Sequence, residues 1–140
     1  DEIYKMYFDM KKDYIIDAMS HVSNSGAITN LCSIVISEEN ILILKRLLYD
    51  PHKYYVAWDS IQTLWDRILK TNIDINELLL SAIQSSRTIE KLDLITKFID
   101  KHHNTNEQIN EMIQFARYNI NICNKNHSYI SEKLKIDKND

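Results

Sequence analysis

Apolar residues return every three or four places along most of this chain, and the clearest case lies between residues 54 and 70. Trp58, Ile61, Trp65 and Ile68 fall on one stripe at helical spacing. Trp58 and Trp65 are the only two tryptophans, and their seven-residue separation predicts both indoles on one face, two turns apart, against a neighbouring helix. The same rhythm predicts about eight helical segments. Ile3, Tyr7, Met10, Tyr14 and Ile15 predict a helix over residues 2–20, followed by a loop around Ser23 to Ser25 that holds Gly26. A short apolar helix follows over 28–36. Ser37-Glu38-Glu39 offers a hydroxyl and two carboxylates suited to the start of the next helix, which carries Ile41, Leu44, Leu47 and Leu48 and ends before Pro51.

After the tryptophan helix, Asp74 and Glu77 have the spacing of a capping box and open a helix through Leu78, Leu79 and Ala82. Another begins near Thr88, with Ile89, Leu92, Ile95, Phe98 and Ile99 on one face. Asn104 to Glu107 repeats the cap spacing before a longer helix with Ile109, Met112, Ile113, Ala116 and Ile120. A last amphipathic segment contains Tyr129, Ile130 and Leu134, ahead of the polar tail at 135–140.

Composition changes this picture in one respect. The whole chain has one glycine and one proline. Sheet folds turn sharply and often, and their turns use both residues, so the chain is expected to be all-α, a single helical domain over 1–140. Helices of this length on short loops form antiparallel pairs, and stacked pairs make an irregular α-solenoid of HEAT or armadillo type. Leu79 and Met112 stand 33 residues apart, an ankyrin-like period, but the Thr-Pro-Leu-His signature and glycine-bearing turns are missing.

Charge and candidate chemistry add exclusions. Net charge is −3 and the basic residues are scattered, which argues against nucleic acid as a partner. No apolar run approaches the length of a membrane span, so this segment is not expected to insert. The chain opens on Asp1-Glu2 without a signal-like start, which fits a cytosolic protein or a targeting signal on another part of a longer one. Cys32 and Cys123 read as buried small hydrophobes without a disulfide.

Nucleophile elbows, phosphate loops and His-Glu-x-x-His do not occur. Of His21, His52, His102, His103 and His127, only the pair at 102 and 103 is adjacent, and neighbouring helical residues diverge. Glu38 and Glu39, like Glu107 and Glu111, occupy first turns of predicted helices, where capping accounts for them. Tyr54 and Tyr55 extend the tryptophan stripe, with an aromatic recognition surface as the alternative. Arg67 and Arg87 are solitary cations that could hold a peptide carboxylate, although a solvated surface explains each. No catalytic, cofactor-binding or metal-binding residue is assigned.

Three blocks carry a family resemblance. The first, residues 31–48, reads Leu-Cys-Ser-Ile-Val-Ile-Ser-Glu-Glu-Asn-Ile-Leu-Ile-Leu-Lys-Arg-Leu-Leu. The second, residues 57–68, begins Ala-Trp and contains Leu-Trp. The third, residues 79–134, includes Thr88-Ile89-Glu90-Lys91-Leu92 leading to Phe98, then Asn119-Ile120, Asn126, Ile130 and Leu134. In this order they resemble the C-terminal helical domain of the M1 zinc aminopeptidases, the family of aminopeptidase N and the endoplasmic reticulum aminopeptidases. Ser60, Leu64, Ile122 and Lys133 depart from the family's preferences, and the stretch between Leu48 and Tyr54 is short by about one helical hairpin.

The resemblance implies a non-catalytic domain that shapes and gates the peptide cavity of a parent enzyme removing N-terminal residues from peptides. Its partners would be the catalytic domain of that parent and peptide substrates. Zinc would sit in the parent's catalytic domain and none in this chain. Most animal members are extracellular or membrane-anchored ectoenzymes, others are cytosolic, and the compartment stays open. The alternative is a stand-alone helical-repeat adaptor binding a protein or peptide on its concave face.

Overall fold

The computed structural model describes residues 2, 14, 23–102 and 106–138, and every regular element among them is a helix. The predicted stripe of Ile3, Tyr7, Met10 and Ile15, the histidines His21 and His103, and Asn104 lie outside the described residues, while Glu2 and Tyr14 are helical. From residue 23 on, seven helices run in order among the described residues: α1 (Ser25–Ser37), α2 (Ile41–Tyr49), α3 (Tyr54–Thr63), α4 (Trp65–Leu69), α5 (Ile75–Ser85), α6 (Ile89–His102) and α7 (Glu107–Lys138). The chain forms two compact units, Asp1–Leu78 and Leu79–Asp140, and the division falls inside α5.

In the first unit, α1, α2 and α3 pack against one another, with α1 against α3 the most extensive pairing. Ile28, Cys32, Val35 and Ile36 from α1, Leu44, Leu47 and Leu48 from α2, and Tyr54, Ala57, Trp58 and Ile61 from α3 make the core. Small side chains permit the close approach. Ser60 is buried, and its hydroxyl is a hydrogen-bond partner of the Cys32 thiol, so an aromatic at 60 would overfill the site.

The predicted tryptophan helix is two helices, interrupted at Leu64 (φ −98°, ψ 14°). Ser60 Oγ donates to the Val56 carbonyl (2.8 Å) and Thr63 Oγ1 to the Asp59 carbonyl (2.9 Å), a back-bonding that bends helices. The ladder nevertheless carries across the break, with Ile68 N–H donating to Leu64 (3.0 Å), and both indoles stay buried.

Several helix ends differ from the sequence-based expectation. Gly26 lies in the first turn of α1 rather than in a loop. Asn24 Oδ1 accepts from the Gly26 amide (2.8 Å), and a Cβ at 26 would come within 3.2 Å of that oxygen. Ser37 ends α1 instead of starting α2. Glu39 takes the left-handed conformation (φ 57°), Asn40 N–H reaches back to the Val35 carbonyl (3.0 Å), and Asn40 caps α2. Residues 50–53 connect α2 to α3 in one turn closed by Asp50, which accepts from the His52 amide (2.9 Å) and pairs with Lys53 (3.3 Å). Burial raises the Asp50 carboxyl, but the His52 N–H and the Lys53 ammonium together outweigh it and hold it below its usual range. At α5 Asp74 Oδ1 accepts from the Glu77 amide (3.1 Å), and the Glu77 carboxylate pairs with Lys45 of α2.

The second unit packs α6 against α7. Thr88 caps α6 through the Lys91 amide (3.2 Å), as its position predicts. Asn106, two residues later than expected, caps α7 through the Ile109 amide (2.9 Å). Leu79, Ala82, Ile83, Leu92, Ile95, Phe98, Ile99 and Ile109 are buried. Arg117 and Asp93 pair at 3.3 Å between the two helices, half-exposed and worth under about 1 kcal/mol. The predicted final segment is no separate helix. Neither glycine nor proline occurs after Pro51, so nothing interrupts α7 over its 32 residues.

Candidate functional site

The second unit holds an apolar depression of about 180 Å³ where the end of α5 faces α7. It begins with how α5 ends. Ser85 and Ser86 both donate their hydroxyls to the Ala82 carbonyl (3.0 and 2.9 Å), which stops the helix and turns Ser86 inward. Gln84 and Ser86 form one wall, and Met112, Phe115, Ala116, Asn119 and Ile120 form the other. Ala116 is the reason for the space, because one methyl stands where its helical neighbours carry long side chains. The amides of Gln84 and Asn119 bring polar groups to the lining, and no ionisable side chain contributes. The volume falls below the roughly 300 Å³ at which small-molecule sites begin. One large apolar side chain fits it. The apolar stripe of α7 already contained Met112, Ala116 and Ile120 as core positions; the one hint of a hollow was the alanine among larger residues.

Arg67 is engaged within the protein rather than presented to a ligand. Its Nη1 donates to Ser33 Oγ (2.9 Å), and its Nη2 donates to Ser37 Oγ (2.5 Å) and to the Ser33 carbonyl (3.4 Å). The guanidinium fork thus ties α4 to the last turns of α1. Arg67→Ala is expected to cost about 1 kcal/mol, read as a drop in melting temperature. Arg67→Lys should recover less than half, since an ammonium cannot span both hydroxyls. Arg87 is exposed in the turn between α5 and α6.

The tyrosine pair divides. Tyr54 is buried in the core, and Tyr55 is exposed with its ring edge-on to Tyr54 at 5.7 Å. His102 stacks on Phe98 at 4.6 Å between centroids, and His52 and His127 are exposed and far apart in sequence. The carboxylates of Glu38, Glu39 and Glu107 occupy separate structural positions. Glu38 caps the end of α1 with its backbone, Glu39 accepts from the Asn72 amide (3.2 Å) and side chain (3.4 Å), and Glu107 opens α7. Among the described residues no three His, Cys, Asp or Glu side chains gather as a metal-holding group.

The cysteines behave differently from each other. Cys32 is buried as expected; Cys123 is exposed, contrary to its reading as a buried hydrophobe, because no described element covers α7 at that position. Burial pushes the Cys32 thiol up to about 11, with the Ser60 hydrogen bond acting the other way. A thiol held above its ordinary value of 9.0 contributes stability that is complete below pH 9 and lost as the pH rises towards 11. Iodoacetamide at pH 8 should therefore modify one thiol in the folded protein, Cys123, and two in denaturant. Mass spectrometry that found Cys32 modified in the folded state would contradict its packing.

No protein family, no curated protein and no solved structure matches this chain.

Proposed function

We propose that this chain is a non-catalytic helical domain of the M1 zinc aminopeptidase type. Its helices would stack as an irregular α-solenoid that walls and gates the peptide cavity of a parent enzyme. One observation supports it above others. The three blocks that carry the resemblance coincide, in order, with the faces that build the helical cores: Leu44, Leu47 and Leu48, then Ala57, Trp58 and Trp65, then Leu92 and Phe98. The parent's catalytic domain would hold zinc and activate the water that cleaves the peptide. This chain would contribute walls, exclusion of solvent and closure.

Sequencing the transcript across the Asp1 codon tests the reading. A continuous reading frame with His-Glu-x-x-His several hundred residues upstream is the expected result. A start codon next to Asp1 would overturn it in favour of a stand-alone adaptor. That second reading draws on the depression beside Ala116, which suits one apolar side chain of a bound peptide or protein. Neither reading survives if the purified chain, supplied with zinc, hydrolyses an aminoacyl fluorogenic substrate.

A further inference from the structure

α7 is about 48 Å long at 1.5 Å per residue, yet among the described residues its last buried side chain is Ile120. From 121 to 135 every side chain is exposed except the half-buried Ser131. This uncovered half contains Asn121, Asn124, Asn126, His127 and Ser128, all weak helix formers. A helix of such residues that no described element covers is marginal in water, because packing of an apolar face supplies most helical stability. It needs a covering surface.

The exposed face has a pattern. Phe115, Ile122 and Tyr129 recur at seven-residue intervals, and Tyr118 lies on the same stripe. Ile122 is the midpoint. Phe115 and Tyr129 stand seven residues before and after it, and Glu111 and Lys133 stand eleven before and after. Lys133 holds its ammonium 5.5 Å from the centre of the Tyr129 ring, which places the cation on the stripe.

We propose that α7 pairs antiparallel with α7 of a second copy of this chain, about a two-fold axis at Ile122. A two-fold interface requires a surface complementary to itself when reversed, and this one is. Reversal sets Ile122 on Ile122, Phe115 on Tyr129, Tyr118 on Asn126, and Glu111 on Lys133. A parallel pair would set Glu111 against Glu111 and Lys133 against Lys133, which repel. Tyr129 of the second copy would also meet Phe115 at the rim of the depression beside Ala116.

The areas agree. A standard interface covers about 800 Å² on each partner, a little over half of it apolar. Four partly exposed large side chains at roughly 100 Å² each supply most of that apolar share. The pairing stands whether or not the proposed function does.

Sedimentation velocity on the whole chain, from low micromolar to several hundred micromolar, provides the test. The average mass should rise towards twice that of the monomer, and far-UV ellipticity should fall on dilution as α7 loses cover. Ile122→Glu sets two carboxylates face to face at the axis and should weaken dimerisation roughly 100-fold. Ile130→Glu, on the neighbouring line of the helix, should have a far smaller effect. Glu111→Lys and Lys133→Glu should each weaken it roughly tenfold, and the double reversal should restore it to within about threefold. A wild-type chain monomeric throughout overturns the proposal, as does an Ile122→Glu chain that dimerises normally. Failure of the double reversal to rescue would refute the antiparallel register. A monomer that instead sediments with anionic phosphatidylserine vesicles would reassign the stripe to a lipid surface.

Discussion

Trp58→Ala should remove about 3–5 kcal/mol of stability, the largest effect of any single substitution in the first unit. The indole is 2% exposed and lies among the contacts of α3 with α1 and α2. Truncation loses its transfer free energy and leaves a hollow that three helices cannot close without shifting. Total stabilities of domains this size run to about 5–15 kcal/mol, so the variant should be unfolded in a large fraction of conditions the parent tolerates. Urea titration read by the fluorescence of the remaining Trp65 gives the number. Tyr55→Ala, one turn earlier and exposed, should change it by no more than about 0.5 kcal/mol. A loss below about 1 kcal/mol for Trp58→Ala would mean that the indole is not packed as described.

In the second unit the corresponding residue is Phe98. Phe98→Ala is expected to cost about 3 kcal/mol, and Phe98→Leu about 1 kcal/mol, because leucine refills most of the volume. The ring is buried in α6, which packs on α7, and it stacks on His102 at the helix end. Both tryptophans belong to the first unit, so far-UV circular dichroism is the suitable probe of helix loss here. A midpoint unchanged in urea would show that the α6 face does not carry the packing of this unit.

Helical class was legible because it depends on local, repeated signals. One glycine, one proline and a period of three to four residues leave few ways to build a sheet. The apolar faces that carry Leu44, Leu47, Trp58, Trp65, Leu92, Ile95 and Phe98 follow from that period, and all seven side chains are buried. Boundaries were less legible where competing groups could serve as caps. Ser37 looked like a cap from its neighbours Glu38 and Glu39, but Asn40 holds that place, and Glu39 adopts the left-handed bend that lets the chain turn. The break at Leu64 is not legible in the apolar period, because the hydroxyls at 60 and 63 have no apolar signature, although they redirect backbone carbonyls.

The candidate site was harder still. Arg67 is a lone cation in the sequence, and its partners Ser33 and Ser37 lie 34 and 30 residues away, so their meeting depends on how α4 rests on α1. The depression by Ala116 exists because a turn at Ser86 comes opposite a small residue on another helix. Cys123 and the stripe through Ile122 carry the same apolar signature as buried positions, yet no described helix covers them.

Residue order by itself therefore determined that this protein is helical and which faces are apolar, since both arise from interactions within three or four residues. Only the tertiary structure decided which apolar faces are covered, which cations are already engaged and where a hollow remains. Those outcomes depend on the lengths and meeting points of helices distant in the chain, and periodicity within one helix carries no record of its neighbours.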